Sequence, residues 1–453
     1  MYNIENTIKL IGLLAILVLA ESQLKAQADS SFSFNLLEAQ NYAVEHSYMN
    51  QQAVKDVEKS EKQVNETIGT GLPQVSASGY YQNYIQVPIQ LIPASAFGGP
   101  EDEFQEVFFG TEHQMGAAVN VDQLIFDGSY FVGLQASKVF LQITKNDLIR
   151  SELDVRNTVL VAYGDVLVAE KNVEILRSNK ENLEENFEET KALYESGFLE
   201  EQDADQIELL LSTVTNNYER AVRGAEIVKN QLKFALGIDI AAELTLTEDL
   251  ETIVMTNSEG TPIFSEDFDV TNHIDYQIIE NQGRASELLW KQQKSTYLPR
   301  LSAFYTAQTN AFSNEFDFLD NKKFFPSQLI GLNLNVPIFS GTSRINRVQQ
   351  AKIDYEKTNI AKKQVEQQLE LNLSNTQSRY IFALSQYNTS ERNMDLADRI
   401  YNKTKIKYDE GISSSLDLNQ ASTQLLDAQA DFINAALSLI NAKSQLNIAL
   451  NKY

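Results

Sequence analysis

Apolar and small residues recur at helical spacing over most of this chain. In residues 33–70, Leu36, Ala39, Ala43, Val44, Ala53, Val54 and Val57 are separated by polar positions, which predicts one helix ended by Gly69, Gly71 and Pro73. The period then changes to two. Val75, Ala77, Gly79 and Tyr81 alternate with Ser76, Ser78, Tyr80 and Gln82, predicting a strand over about 74–92. Residues 93–113 hold two prolines, three glycines and a cluster of acids and phenylalanines, and are expected to form a loop. A second strand follows at about 114–126 and closes at Asp127-Gly128. A long helix over 129–195, a turn at Gly197 and a shorter helix to Leu236-Gly237 come next.

The same series then recurs. Residues 273–296 predict a helix, with His273 placed like His46. Strands follow at about 300–311 and 329–339, flanking a polar aromatic loop, and a long helix runs to Glu410. After a turn at Gly411, a final helix reaches Asn451. Lys191, Tyr194, Gly197, Asp203 and Gln206 match Lys405, Tyr408, Gly411, Asp417 and Gln420, all at one offset of 214. The chain is thus expected to be two copies of one unit, residues 29–237 and 272–453. They are joined by a linker at 238–271 containing Gly260 and Pro262. Each glycine marks the tight turn between two long helices.

Neither Gly nor Pro occurs from Thr342 to Glu410, enough for a helix on the order of 100 Å. No ordinary globular core needs such a rod, so an elongated protein is expected. Lys9 precedes an apolar run ending near Ala20, followed by Ala26-Gln27-Ala28, the pattern of a secretory signal peptide over residues 1–28. That run is too short to span a bilayer, and no later stretch is apolar enough for a membrane helix.

The 453 residues carry a net charge of −25, which argues against nucleic acid as a partner. There is no cysteine, and His46, His113 and His273 lack metal-ligand spacing, so no metal site or cofactor is expected. No nucleophile elbow, phosphate-binding loop or dinucleotide fingerprint occurs. No catalytic residue is assigned and the chain is not expected to be an enzyme.

Each strand has the length of a tilted membrane strand, with one apolar face and one small or polar face. A soluble sheet with one buried face would give the same alternation. In a membrane, however, four strands cannot close a barrel, and an open edge in lipid is forbidden. Other copies of the chain must then complete the barrel. The alternative is an exported periplasmic structural coiled-coil protein without a pore, which leaves the doubled strand pairs unexplained.

The doubled helix–strand–strand–helix–helix order, the Leu-Pro entries at Leu72-Pro73 and Leu298-Pro299, the Ile-Phe-x-Gly exits at Ile125 and Ile338, and the Lys-x-x-Tyr-x-x-Gly turns resemble the TolC-like outer-membrane efflux family. The resemblance covers essentially the whole mature chain. It implies a mainly α fold with a membrane β-barrel: a homotrimer with a coiled-coil α-barrel in the periplasm and a 12-stranded barrel in outer-membrane lipid. It further implies an exit duct fed by a periplasmic adaptor protein and an inner-membrane efflux pump or ABC exporter.

The resemblance also assigns residues. Asp417 falls where the family places a ring aspartate at the pore constriction. Tyr408 matches a gate tyrosine whose partner is an aspartate at the position of Asp203. Gln420 stands where a second ring aspartate is often found, and Gln206 is its counterpart. An arginine tie is missing because that position is Ser413, and Gln202, which would face it, is changed too. These departures imply a looser, less cation-selective gate. Asp at a helix start is also commonly a cap, and the glutamines commonly link helices. The turns Gly197-Phe198-Leu199 and Gly411-Ile412-Ser413 are where an adaptor would dock.

Overall fold

The computed structural model describes residues 31–259, 268–320 and 323–452. The expected signal peptide lies outside the described residues. In chain order the elements are β1 (Ser31–Phe34), α1 (Leu36–His46), α2 (Tyr48–Gly69), β2 (Gln74–Asn83), β3 (Ile89–Pro93), β4 (Phe104–Phe108) and β5 (His113–Phe126). Then come α3 (Gly128–Glu195), α4 (Glu201–Leu236), β6 (Glu243–Leu246) and α5 (Leu250–Glu259). The series ends with α6 (Ile274–Ser295), β7 (Arg300–Ser313), β8 (Phe325–Asn335), α7 (Ser343–Asp409) and α8 (Ser415–Leu450). The chain is mainly helical, and among the described residues no helix is long and apolar enough to cross a membrane.

Several sequence expectations need correction. The helix expected over 33–70 is two helices, broken at Ser47, whose ψ of 141° is extended. The Ser47 N–H closes α1 on the Ala43 carbonyl at 2.8 Å, and its hydroxyl accepts from Asn50 N–H at the head of α2. His46 therefore ends α1, whereas His273 precedes α6, so the two histidines are not equivalent. The first strand stops at Asn83. Residues 89–93, the end of the expected first strand, instead pair with 104–108, which the glycines and prolines presented as loop. β8 is displaced toward the N-terminus of its expected range. β7 is long enough to pair Asn310 with Phe325, and Pro337 has no N–H to extend the ladder beyond Asn335.

The chain divides into two compact units. One comprises residues up to 55, 147–276 and 365–453, and its core draws on α1, α3, α4, α5, α7 and α8. Ala39 and Ala43 of α1 join Val159, Tyr163 and Val166 of α3, Leu232 and Leu236 of α4, and Ala435, Ala436 and Leu446 of α8, all essentially inaccessible to water. Small residues let these helices approach closely; a methyl on Gly164 would meet the Ile440 side chain at 2.8 Å. β1 and β6 pair in parallel beside this core, and the Tyr163 hydroxyl donates to the Phe34 carbonyl at 3.1 Å. Burial pushes the Tyr163 phenol up to about 12.

The other unit, residues 56–146 and 277–364, holds an antiparallel sheet in the order β2-β5-β7-β8. Its register sorts the side chains. Val75, Ala77, Val119, Val121, Tyr305, Ile330, Leu332 and Leu334 share one face. Ser76, Gln82, Asn120, Asp122, Thr306 and Asn333 share the other, where the Thr306 hydroxyl donates to Asn120 at 2.9 Å and the Tyr80 hydroxyl to Asn310 at 3.1 Å. The apolar face is not covered by the chain: Val75, Ile330 and Leu332 are 69%, 79% and 70% exposed. β2 and β8 are its two edges.

Candidate functional site: the two helix turns

The turns at Gly197 and Gly411 are built alike. Each glycine takes a left-handed φ, 78° and 73°, that a side chain would resist. Gly197 N–H bonds the Tyr194 carbonyl and Phe198 N–H the Leu193 carbonyl; Gly411 and Ile412 repeat both bonds to Tyr408 and Lys407. This pattern satisfies the last carbonyls of α3 and α7. Four residues after each glycine the following helix starts, with a carboxylate at its third position. Asp203 accepts from Glu200 N–H at 3.2 Å. Asp417 accepts from Ser414 N–H at 3.0 Å and from the hydroxyls of Ser414 and Ser413 at 2.7 and 3.1 Å. α4 and α8 then run 36 residues each and end on left-handed caps, Gly237 and Asn451.

Within the unit that contains both turns, two sets of bonds join the helices. Across α4 and α8, Ser415 donates its hydroxyl to Asp203, and Asn419 donates to Gln206 at 3.1 Å. Across α3 and α7, the Thr190 and Tyr408 hydroxyls pair at 3.1 Å, Asn186 donates to the Tyr401 hydroxyl at 3.1 Å, and Lys405 lies 3.7 Å from Glu185. Tyr408 also packs against a small core of Ala397, Tyr401, Leu418, Ala421 and Leu425.

The expected pairing of Tyr408 with Asp203 does not occur in the chain. The Asp203 carboxylate is taken by the head of its own helix and by Ser415, while Tyr408, in the last turns of α7, meets Thr190 of α3. Gln206 is an interhelical link, and Gln420 is exposed. Asp417 caps α8, and the hydrogen bonds from Ser414, followed by Ser413, hold its carboxyl below the usual range. Phe198 and Ile412 project at the turns, 79% and 70% exposed, and Leu199 is half-buried.

Sequence reasoning missed Thr190, Asn186, Tyr401, Ser415 and Asn419. A signal for the first three exists. Asn179, Asn186 and Thr190 are buried polar residues spaced by seven and four on α3, and Tyr401 and Tyr408 are spaced by seven on α7. Polar residues on a buried helical stripe need partners, and a facing stripe supplies them.

Among the described residues no cluster of three or more His, Asp or Glu side chains is arranged to hold a metal ion. What the site offers instead is a hydrogen-bonded junction of four helix ends, bordered by exposed apolar residues and acids.

The chain matches the model of the family described as outer membrane efflux protein over residues 282–452. No protein of curated function matches it in sequence. Solved structures share its fold. CusC, a structure described for the conformational changes that accompany folding and transmembrane channel formation, is 13% identical with a TM-score of 0.72, over 93% of this chain and 94% of that one. The outer membrane protein VceC of Vibrio cholerae is 14% identical with a TM-score of 0.69, over 92% and 96%. The outer membrane channel CmeC of Campylobacter jejuni is 19% identical with a TM-score of 0.69, over 92% and 85%. Residues 282–452 thus match the outer membrane efflux protein family, and the chain shares the fold of these solved structures over more than nine-tenths of its length.

Proposed function

We propose that this protein is the outer-membrane exit duct of a tripartite efflux or type I secretion system, passing substrates from the periplasm or a pump to the exterior. The observation that carries this reading is the four-stranded sheet. An exposed apolar face opposite a polar face, with two unpaired edges, suits lipid outside and water inside once other copies complete the ring. Three copies would make a homotrimer with a 12-stranded barrel, and their helices a coiled-coil barrel in the periplasm. The partners under this reading are a periplasmic adaptor and an inner-membrane efflux pump or ABC exporter, with no enzymatic role for the chain itself.

The same proposal includes a signal peptide over residues 1–28 and two repeats, 29–237 and 272–453, joined at 238–271. Support for the repeats comes from matched helices: α2 and α6 have 22 residues each, and α4 and α8 have 36 each. The periplasmic gate is assigned to the turns, with Asp417, Gln420, Tyr408, Asp203 and Gln206 at the constriction. The adaptor would dock on Gly197, Phe198, Leu199, Gly411, Ile412 and Ser413. Exposure of Phe198 and Ile412 supports docking, and the bonds across the helix pairs support a held, closed arrangement.

The test is the mass by light scattering of mature protein extracted in detergent from the outer-membrane fraction. A trimer is expected. A water-soluble monomer or dimer would favour the pore-less coiled-coil rod instead.

A further inference from the structure

The ribbon of β3 and β4 is not accounted for by a duct alone. Its register places Ile89, Leu91, Pro93, Phe104 and Phe108 on one face around Glu106, which stands opposite Leu91. That face is bare, with Leu91, Phe104 and Phe108 each about two-thirds exposed, and among the described residues the ribbon packs on no strand or helix of its own chain beyond the short turn at residues 94–97 to any extent. A two-stranded ribbon is marginal in water unless its apolar face is covered.

The sheet order says what lies beside it. Residues 84–112 connect β2 to β5, and the chain from 314 connects β7 to β8; in an antiparallel sheet both connections leave the same end. One adjoins the β2 edge and the other the β8 edge. When copies join head to tail, β8 of one meets β2 of the next, so these two connections become neighbours. The β7–β8 connection carries exposed Phe316 and Leu319 and, at the head of β8, exposed Lys323.

We infer that the ribbon's apolar face docks on Phe316 and Leu319 of a second copy of this chain, with Glu106 paired to Lys323 across the junction. This rests on the shared-barrel reading above. A carboxylate at the centre of the face disfavours hydrocarbon as the occupant and fits a protein surface bearing a cation. The ribbon then acts as a clasp that locks neighbouring subunits at the rim of the sheet.

The chain has no cysteine, so Glu106→Cys combined with Lys323→Cys supplies its only thiols. In the full-length protein in detergent, a short bismaleimide is expected to join subunits into dimers and trimers. The yield should be several times that of a control pair with the second thiol at Thr213. Separately, Glu106→Lys should lower the temperature at which the trimer dissociates, and adding Lys323→Glu should restore it. A trimer by light scattering that cross-links no better than the control and ignores the charge swap would overturn the clasp alone. Preferential labelling of the Glu106→Cys thiol by a lipid-confined reagent would overturn it in favour of a membrane-buried ribbon. Absence of any trimer would overturn the clasp together with the shared barrel.

Discussion

The hydroxyl of Ser415, the first residue of α8, donates to the carboxylate of Asp203, the third residue of α4. One carboxylate thus serves both the head of its own helix and the head of its counterpart, so the starts of α4 and α8 cannot separate without leaving Asp203 partly unsatisfied. If opening the duct moves these helix heads apart, this bond and the Thr190–Tyr408 bond oppose it. Each hydrogen bond contributes about 0.5–1.5 kcal/mol. Ser415→Ala and Tyr408→Phe are each expected to raise the open probability in planar bilayers by about two- to tenfold. Asp203→Ala and Ser415→Ala together should give less than the sum of their separate effects, since they break one bond.

Asp417 makes stability depend on acid. Its folded pKa is depressed by the Ser414 and Ser413 hydrogen bonds, so its contribution is fully present above the ordinary aspartate value. The contribution disappears as pH falls through the depressed value. Thermal unfolding of Asp417→Asn should therefore lie below that of the parent chain by a constant interval above about pH 5. The two should converge in stronger acid; an interval unchanged at low pH would remove the cap from the account.

Lys443 works in the opposite direction. It lies buried beside Tyr380, its ammonium 5.5 Å from the ring centre, and desolvation pulls its pKa down to about 8. Below pH 8 both folded and unfolded chains carry the charge, and the folded state bears the burial cost. Between about 8 and the ordinary lysine value the folded chain releases its proton first, so stability should rise with pH there. Lys443→Met is expected to stabilise the unit at neutral pH by about 1–2 kcal/mol after allowing for screening, and to flatten that rise. Chemical denaturation across this pH range measures both effects.

Gly237 combines a left-handed φ of 77° with a close approach: a methyl there would sit 2.3 Å from the His46 carbonyl oxygen. Backbone cannot yield as a flexible side chain can. Gly237→Ala is expected to cost at least about 2 kcal/mol, read as a lower midpoint in denaturant. Gly224→Ala, where a methyl meets nothing within 4 Å, should be neutral or slightly stabilising.

Leu332 and Asn333 are neighbours on β8 that point to opposite faces. Leu332→Arg should sharply reduce folded protein in the outer membrane, by about 2–4 kcal/mol if the position lies near the bilayer midplane. Asn333→Arg should be tolerated and alter ion selectivity instead. Equal tolerance of the two would contradict a lipid-facing side.

Much of this fold was legible in the sequence because its elements are long and punctuated by residues with strong backbone preferences. Gly197 and Gly411 mark left-handed turns, and the alternation in 74–83 and 114–126 outlasts chance. The break at Ser47 was hidden because neither Gly nor Pro marks it; a hydroxyl with an extended ψ suffices. The strand at 104–108, and its pairing with 89–93 as a separate ribbon, were hidden because the surrounding prolines and glycines resemble loop chemistry while allowing edge strands. At the turns, spacing identified the carboxylates but not their partners. Asp203 meets Ser415 because two helix heads are brought side by side, and that proximity is set by packing along 36-residue helices rather than by local pattern.

The two unpaired edges, β2 and β8, carry a genetic consequence. If copies of the chain close a ring edge to edge as proposed, every subunit is at once a donor and an acceptor, and none is redundant. A copy with one ruined edge can still join through the other, leaving a seam that no neighbour can heal. Such an allele, expressed beside the intact gene, should be dominant.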